Sequence, residues 1–506
     1  MKIAKSTFSE LDRLIREGQH AIADKQLNEI LKMDIPREFL FEVAAISRRL
    51  SRSEIGVGLL NPIVRPPVTK PIVATNEERA EYAGCLIRLG IFKEAHSILD
   101  TVPSEAHPRS LLFRAFAHIA QWDFEKSSLC LQNFMTKSHI DSYEILIAKV
   151  NLAVGYVFLE DFKKATSLLD ELCVSTLESN NLFLYSNSLE LAAQNSILSG
   201  DYIAAEKFLA KAKKALSSSE TIDAYYLQKD QAILQLFKSN QSKAGIQEVM
   251  KMKAVAKTRR FWEQGRDCDY YLSIATRDPK IIQYLYFGTP YEAHRRKLLS
   301  KLAMKKEDLP EFFSWKLGIG HHSSKLNVAT GESTGTKLFL NEGQVPQRLL
   351  KALALDYYRP RRMMEMFEKT FPDEYFSPKY STDKIHQGLK RLRSDLSRIE
   401  IPLAINENSG FYQLAAQDKH SLELICPRDE ILQRTKPYLA RRQEAKIFEL
   451  LKKAKQKFRS SEFMASDFAR LFKISERSAV RHLKLGVEKE WVSKKGTARF
   501  VRYKIT

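Results

Sequence analysis

The chain has 506 residues, of which 44% are hydrophobic and 10% aromatic, so it can bury several cores and does not have the composition of a disordered protein. At roughly 100–200 residues per domain, this length predicts three or four domains. Lys and Arg number 81 against 61 Asp and Glu, and the net charge of +20 indicates a polyanionic partner, either nucleic acid or an acidic membrane surface.

The cysteines are scattered singly, which excludes a zinc ribbon and disfavours a disulfide framework; they are Cys85, Cys130, Cys173, Cys268 and Cys426. Their pattern is typical of a reducing cytosol. No apolar run approaches the ~18 residues that a membrane span requires, and residues 1–19 lack the apolar region of a signal peptide. We therefore expect a soluble, cytoplasmic protein.

The positive charge is concentrated towards the carboxyl end. Residues 1–285 carry 37 basic and 35 acidic side chains, whereas residues 286–436 carry 25 and 19. Residues 437–506 carry 19 and 7, a net charge of +12. A lysine-rich solubilising tail is the simpler interpretation. The same segment, however, has regular apolar spacing and several aromatic residues, which favours a folded basic domain.

A short motif recurs along the first 285 residues. Each copy has a turn residue, an aromatic side chain in all but the weakest copy, and a small residue three positions after the aromatic. The small residues are spaced 32, 38, 40 and 39 residues apart; they are Ala95, Ser127, Ala165, Ala205 and Ala244. A period in this range predicts a solenoid of helix–turn–helix units, in which the small residue lets neighbouring helices approach closely.

This pattern resembles tetratricopeptide repeats, as found in sensor and interaction domains of bacterial transcription regulators. The resemblance implies a surface for partner binding or self-association over residues 76–285. An irregular helical bundle is the alternative. In either case, four tyrosines are expected to pack between helices; they are Tyr225, Tyr226, Tyr270 and Tyr271. Residues 1–75 are predicted to form a small helical segment and a proline-stiffened linker, at 61–71, that separates it from the repeats.

A new pattern begins after Pro310 and predicts a domain over residues 310–418, preceded by a connector at 286–309. Two short β-like runs flank a turn rich in Gly and Thr; they lie at 325–328 and 337–340. Helices are predicted at 346–357, 361–371 and 381–398, with a Pro- and aromatic-rich loop at 371–380. The last helix is amphipathic, with one apolar face formed by Ile385, Leu389, Leu392 and Leu396. A hairpin is predicted at 403–414 with an Asn-Ser-Gly turn.

The Leu-Lys-Arg-Leu-Arg run at 389–393 and the Gly-Phe-Tyr-Gln-Leu hairpin end at 410–414 resemble the DNA-binding domain of OmpR/PhoB-type response regulators. In that family a recognition helix lies in the major groove and the hairpin, or wing, touches the DNA backbone. The resemblance implies groove and phosphate contacts by Gln387, Lys390, Arg391 and Arg393. A charged, solvated helix face on an unrelated domain is the alternative.

Residues 437–506 follow a predicted linker at 419–436 and contain the clearest motif of the chain. A basic helix is predicted at 440–459, and a short helix with Ser466 as N-cap at 465–472. A three-residue turn leads to a third helix, at 476–489, capped by Ser475.

On that third helix, Val480, Leu483 and Val487 are predicted to face inward, and Ser478, Arg481, His482 and Leu485 to face outward. Strands at 491–493 and 500–505 flank a basic turn at 494–499. A short helix, a three-residue turn, a second helix and a basic hairpin form the layout of a winged helix-turn-helix.

The run at 474–483 also resembles recognition helices of many bacterial winged-helix regulators. Such a helix fits the ~12 Å major groove, and basic side chains of the wing neutralise phosphates. The candidate DNA contacts are Arg477, Ser478, Arg481, His482, Lys494, Lys495, Arg499 and Arg502. A winged helix that contacts protein is the alternative.

No catalytic motif is complete in this sequence. The Gly331-to-Lys337 segment has three residues between its glycines where a phosphate-binding loop has four, and a threonine separates Gly335 from the lysine. His321 and His322 are adjacent and cannot share one helical face as two metal ligands would, so a surface loop is expected there. The serine-hydrolase, zincin and kinase motifs are absent from the sequence. We therefore expect no enzyme and no cofactor.

Together these patterns predict a mainly α protein in which a tetratricopeptide-like array precedes two winged-helix (α+β) domains. The expected function is that of a cytoplasmic, sequence-specific, DNA-binding transcription regulator. Double-stranded DNA is the expected partner of the winged helices. A protein partner or a second copy of the chain, as in a homodimer, is the expected partner of the array. The alternative from another class is a protein-assembly scaffold in which helical repeats end in winged helices, as in PCI-domain subunits.

Overall fold

The computed structural model describes residues 4–66, 72–216, 222–239, 242–320, 322–333, 340–417, 420–428, 435–459, 461–496 and 501–505. Two compact units make up the chain, residues 1–428 and residues 429–506. Among the described residues, every helix is too short or too polar to cross a membrane. The five cysteines, which all lie in the described ranges, are unpaired.

The first unit is mainly helical. Its first helices are α1 (Lys5–Arg16), α2 (His20–Ile30), α3 (Leu40–Arg49), α4 (Ser53–Val64), α5 (Asn76–Arg88), α6 (Phe92–Leu99), α7 (Arg109–Ile119), α8 (Phe124–Met135) and α9 (Ser142–Phe158). They are followed by α10 (Phe162–Glu178), α11 (Leu182–Ser199), α12 (Tyr202–Ala215), α13 (Ile222–Lys238), α14 (Lys243–Arg259), α15 (Trp262–Thr276), α16 (Pro279–Phe287) and α17 (Glu292–Leu302).

Helices α5 to α14 pack as consecutive pairs, which confirms the prediction of a helical repeat array. Each predicted motif marks the start of the second helix of a pair. In three copies an aspartate caps that helix, because its carboxylate accepts the N–H of the residue three positions later; these are Asp123, Asp161 and Asp201. Ser242 caps α14 in the same way.

The small residues of the motif lie where helices touch. Four of them are buried, namely Ala95, Ser127, Ala165 and Ala205. In the fifth copy the prediction is wrong by one residue, because Ala244 is exposed and Gly245 is buried. A β-carbon at Gly245 would lie 2.8 Å from Leu236 Cα, so only glycine fits against the α13 backbone.

The predicted proline-rich linker differs from the structure at its start. Helix α4 continues through Pro62 in its last turn, where the proline removes one backbone hydrogen bond, and α4 packs on α5. The Tyr82 hydroxyl donates to Asn61 Oδ1 over 3.0 Å, and Arg48 pairs with the fully buried Glu81 at 2.5 Å. The first helices therefore extend the array rather than standing apart from it. The rest of the predicted linker, at 67–71, lies outside the described residues.

The predicted connector contains α17, which packs on the array. His294, Leu298 and Leu302 are buried on this helix. The ring centroids of Trp122 and His294 lie 4.8 Å apart, and Lys301 Nζ lies 2.8 Å from Glu160 Oε2. This segment therefore belongs to the folded body of the first unit.

The remainder of the first unit combines short strands with three helices: β1 (Phe312–Leu317), β2 (His322–Asn327), α18 (Val345–Leu353), β3 (Arg361–Arg362), α19 (Met363–Thr370), α20 (Ser381–Arg398), β4 (Leu403–Asn408), β5 (Phe411–Ala416) and β6 (His420–Pro427). Two three-stranded sheets form, in the orders β1-β6-β2 and β3-β5-β4. Strand β6 pairs antiparallel with β1 and parallel with β2.

The predictions for this region are correct for α20 and for the β4–β5 hairpin, and they place α18 and α19 within a few residues. Strands β1 and β6 were not predicted, and β6 occupies part of the predicted linker at 419–436. The predicted strand at 337–340 lies largely outside the described residues, as does His321, whereas His322 begins β2.

The described residues of the second unit form three helices and one pair of antiparallel strands: α21 (Thr435–Phe458), α22 (Ala465–Phe472), α23 (Glu476–Glu488), β7 (Val492–Lys495) and β8 (Arg502–Ile505). It has its own hydrophobic core, in which Leu451, Phe463, Phe468, Leu483 and Tyr503 are buried together. Strand β8 also forms a reciprocal pair of 2.9 Å backbone hydrogen bonds between Phe463 and Tyr503, which attaches the hairpin to the helices.

Candidate nucleic-acid interface

The turn between α22 and α23 has three residues, as predicted. Lys473 adopts a left-handed φ of 52°, and the N–H of Ile474 donates to the Ala469 carbonyl over 3.0 Å, which ends α22. Ser475 Oγ accepts the Ser478 N–H over 3.2 Å and caps α23, again as predicted. A sharp turn with a capped second helix fixes the direction in which α23 projects.

The predicted N-cap of α22 is wrong. Helix α22 begins at Ala465, so Ser466 lies inside its first turn. Asp467 Oδ2 accepts the Met464 N–H over 2.9 Å and satisfies this end of the helix instead.

The buried face of α23 is formed by small residues as well as leucine. Ala479, Leu483 and Gly486 are buried at spacings of four and three residues. A β-carbon at Gly486 would lie 2.9 Å from Val492 Cγ2, so this glycine allows the hairpin to pack closely. Val480, predicted to face inward, is 46% exposed. Leu485, predicted to face outward, packs against the core.

Arg477 and Arg481 are exposed one helical turn apart on the outer face of α23. Two other predicted contacts on this helix are only partly accessible. The Ser478 hydroxyl lies 2.9 Å from Ser475 Oγ and takes part in the cap, and His482 is half-buried. The two arginines are therefore the side chains best placed to reach a ligand.

The hairpin adds cations beside this helix. Lys494, Lys495 and Arg502 are exposed, and Lys495 lies directly opposite Arg502 in the antiparallel register. Like charges in opposed positions repel, so a polyanion would relieve this repulsion. Lys495 Nζ also lies 3.9 Å from a Glu462 carboxylate oxygen. Arg499 lies outside the described residues.

Two further cations were not predicted from the sequence. Arg470 and Lys473 are exposed at the end of α22 and in the turn before α23. The signal for them was present, since both flank the predicted turn. They extend the basic surface of the second unit from α23 to the preceding helix.

In the first unit, α20 buries the apolar face that its spacing predicts, formed by Ile385, Leu389, Leu392 and Leu396. Gln387, Lys390 and Arg391 are exposed on the opposite side. Arg393 is tied to the hairpin, because its Nη2 donates to the Ile405 carbonyl over 3.0 Å.

The β4–β5 hairpin contacts the repeat array at Phe411, whereas residues 406–410 at its tip are exposed. Phe411, the first residue of β5, contacts Trp262 at the start of α15, with ring centroids 5.0 Å apart. The two predicted DNA-contacting hairpins thus have different surroundings within their own units. Among the described residues, no cluster of three or more His, Cys, Asp or Glu side chains is placed to hold a metal ion.

Comparison with known proteins yields no family model and no curated protein that matches this sequence. Among solved structures, the chain is similar to a Rap protein crystallised in complex with the competence and sporulation factor. The two share 12% sequence identity at a TM-score of 0.39, over 78% of this chain and 98% of the Rap chain. A similarity this low does not define the fold of the array, which rests on the helix pairs described above.

Proposed function

We propose that this protein is a sequence-specific, DNA-binding transcription regulator, with its principal DNA contact in the second unit. The observation that carries the proposal is the three-residue turn between α22 and α23, followed by a basic hairpin, with Arg477 and Arg481 exposed on α23. The order of these elements supports the assignment, because in a winged helix-turn-helix the second helix of the motif enters the major groove.

The chemistry of the exposed side chains supports this assignment. Arginine donates two parallel hydrogen bonds to the O6 and N7 acceptors of guanine, and Arg481 projects from the middle of the outer face of α23. Lys494 and Arg502 on the hairpin supply point charges for phosphate oxygens. The net charge of +12 over residues 437–506 favours association with a polyanion.

We assign the repeat array to partner binding or self-association, as its tetratricopeptide-like motif implies. Residues 1–285 have a net charge of only +2, which does not favour DNA. Large apolar side chains are exposed near the α10–α11 turn, among them Leu177, Leu182 and Phe183. Exposed apolar surface of this kind is typical of protein contacts.

The proposal is tested with two variants of the second unit. Arg481→Ala should weaken binding to the preferred duplex by about 1–3 kcal/mol and relax discrimination at one base pair. Lys494→Ala should weaken binding to all sequences about equally and lower the salt slope by about one. Binding is measured to a duplex selected from a random-sequence library and to its scrambled version.

Lys251→Ala is the matched control. This lysine is 70% exposed on α14, in the first unit, and its replacement removes one positive charge, as each of the other two substitutions does. It should bind both duplexes as the unmodified chain does. If all three variants retain unmodified affinity and discrimination, the second unit does not read DNA, and the scaffold function becomes the better account.

A further inference from the structure

Helix α23 carries an exposed apolar side chain on the face that Arg477 and Arg481 share. Val480 is 46% exposed. At 3.6 residues per turn, the three side chains leave the helix within one arc of about 100°. All three lie in the first two turns of α23. In a helix-turn-helix, residues in this part of the second helix contact the base edges.

The packing of α23 explains why Val480 is exposed and makes its side chain rigid. Ala479, Leu483 and Gly486 form the buried side of the helix, so the residue after Ala479 turns away from the core. A β-branched valine in a helix has one strongly preferred rotamer, which gives its two methyl groups a fixed direction. A side chain with little rotamer freedom loses little entropy when a ligand covers it.

Among the described residues of the second unit, two other large apolar side chains are exposed, Phe448 and Met464. Phe448 on α21 contacts Trp491, with ring centroids 4.9 Å apart, and Met464 precedes α22. A single exposed apolar side chain is ordinary on a protein surface. Val480 differs from these two because it adds apolar surface to the helix face that carries the arginines.

The major groove offers one apolar group that such a side chain can contact. Base edges present hydrogen-bond donors and acceptors there, and thymine also presents its 5-methyl group. Val480 and Arg481 are consecutive in the helix, which rises about 1.5 Å per residue, whereas stacked base pairs are about 3.4 Å apart. The two side chains are therefore expected to meet neighbouring base pairs.

We propose that Val480 is a specificity-determining residue that contacts the 5-methyl group of a thymine next to the guanine read by Arg481. The preferred target then contains a T·A pair beside a G·C pair, with the methyl group of the one and the O6 and N7 acceptors of the other facing α23. This inference rests on the proposed DNA-binding function and adds the chemical identity of one base pair of its target.

The test removes the methyl group from the DNA and the valine from the protein. Each thymine of the selected duplex is replaced singly by uracil, which pairs as thymine does and lacks only the methyl group. Affinity is measured for the full chain and for Val480→Ala, Val480→Ile and Met464→Ala. Met464 is the control, because it is 43% exposed outside α23. Val480→Ala should fold, since alanine is the better helix former, and urea denaturation checks this.

The unmodified chain should lose about threefold to fivefold in affinity when one particular thymine becomes uracil, the loss expected from one methyl group left unburied. That thymine should lie beside the base pair at which Arg481→Ala relaxes discrimination. Val480→Ala should bind the thymine and uracil duplexes equally. Val480→Ile, which keeps the branched side chain, and Met464→Ala should both retain the loss.

A selected site in which no uracil substitution weakens binding overturns the role of Val480, as does an equal loss in the unmodified chain and in Val480→Ala. In both cases the proposed function stands as long as Arg481→Ala still relaxes discrimination. If the unmodified chain binds no duplex at low salt, the proposed function itself fails and the role of Val480 fails with it. The two failures are therefore distinguishable.

Discussion

Two glycines test how closely the helices of the array pack. A β-carbon at Gly245 would meet the backbone of α13, whereas one at Gly58 on α4 would meet no atom within 4 Å. Gly245→Ala should destabilise the first unit by about 1–3 kcal/mol, because backbone atoms cannot move aside cheaply. Gly58→Ala should stabilise it by about 0.5–1 kcal/mol, since alanine is the better helix former. Urea denaturation of each variant measures both effects, and shifts in the same direction would contradict this packing.

A buried charge cluster predicts a pH dependence of stability. Lys229 Nζ lies 2.5 Å from Asp267 Oδ2 and 3.4 Å from Asp230 Oδ1. Burial, and then the charge of Asp230, raise the pKa of Glu190 well above its ordinary value of 4.5. Burial also raises the pKa of Asp230. The folded chain therefore retains a proton that the unfolded chain releases.

The contribution of Glu190 to stability is full below about pH 4.5 and is lost as the pH rises towards its folded-state pKa. Glu190→Gln keeps a neutral side chain at every pH. It should therefore flatten the decline in unfolding free energy as the pH rises above about 4.5. Denaturant midpoints across this range test the prediction, with exposed Glu178→Gln as control. A variant as steep as the unmodified chain would refute it.

At the scale of elements, the N-caps explain why the repeats were predictable. Asp201 Oδ1 accepts the Ala204 N–H over 3.0 Å at the start of α12. Asp201→Ala should cost about 1 kcal/mol of stability, whereas Asp201→Asn should cost much less, because asparagine also caps helices. Thermal or urea denaturation compares the two variants. Equal losses would mean that the carboxylate charge, and not the cap, stabilises this helix start.

The array could be predicted because each repeat carries its turn, cap and small residue within a few positions. The fifth copy was misaligned because Ala244 precedes Gly245, and only the α13 backbone distinguishes them. Strand β6 was missed although Leu422, Leu424 and Cys426 alternate as buried residues. Its partners β1 and β2 lie about 100 residues earlier, so the pairing has no local signal.

The candidate site was predictable where the signal was local. The turn before α23, its Ser475 cap and the exposed arginines follow from the sequence. The orientation of Val480 and Leu485 could not be predicted in this way, because Ala479 and Gly486 are the residues of α23 that are buried against the rest of the unit. Small residues add little to the hydrophobic pattern of a helix. A prediction from apolar periodicity alone therefore assigns the wrong side of α23 to the core.

At the scale of the whole molecule, positive charge is distributed unevenly between the two units. The second unit has its own core and the densest positive charge, whereas the repeat array is almost neutral. DNA binding through the second unit is therefore expected to depend on its cations and to be steep in salt.

The most direct test of this account is the affinity of the full chain for a duplex across about 50–200 mM salt. If the exposed cations of α23 and the hairpin neutralise three to five phosphates, the slope of log K against log salt should lie between about −2.7 and −4.5. Arg481→Ala should also reduce, by about 1–3 kcal/mol, the discrimination between the selected and scrambled duplexes. A flat salt response, or no binding at low salt, would contradict the central claim that the second unit binds DNA.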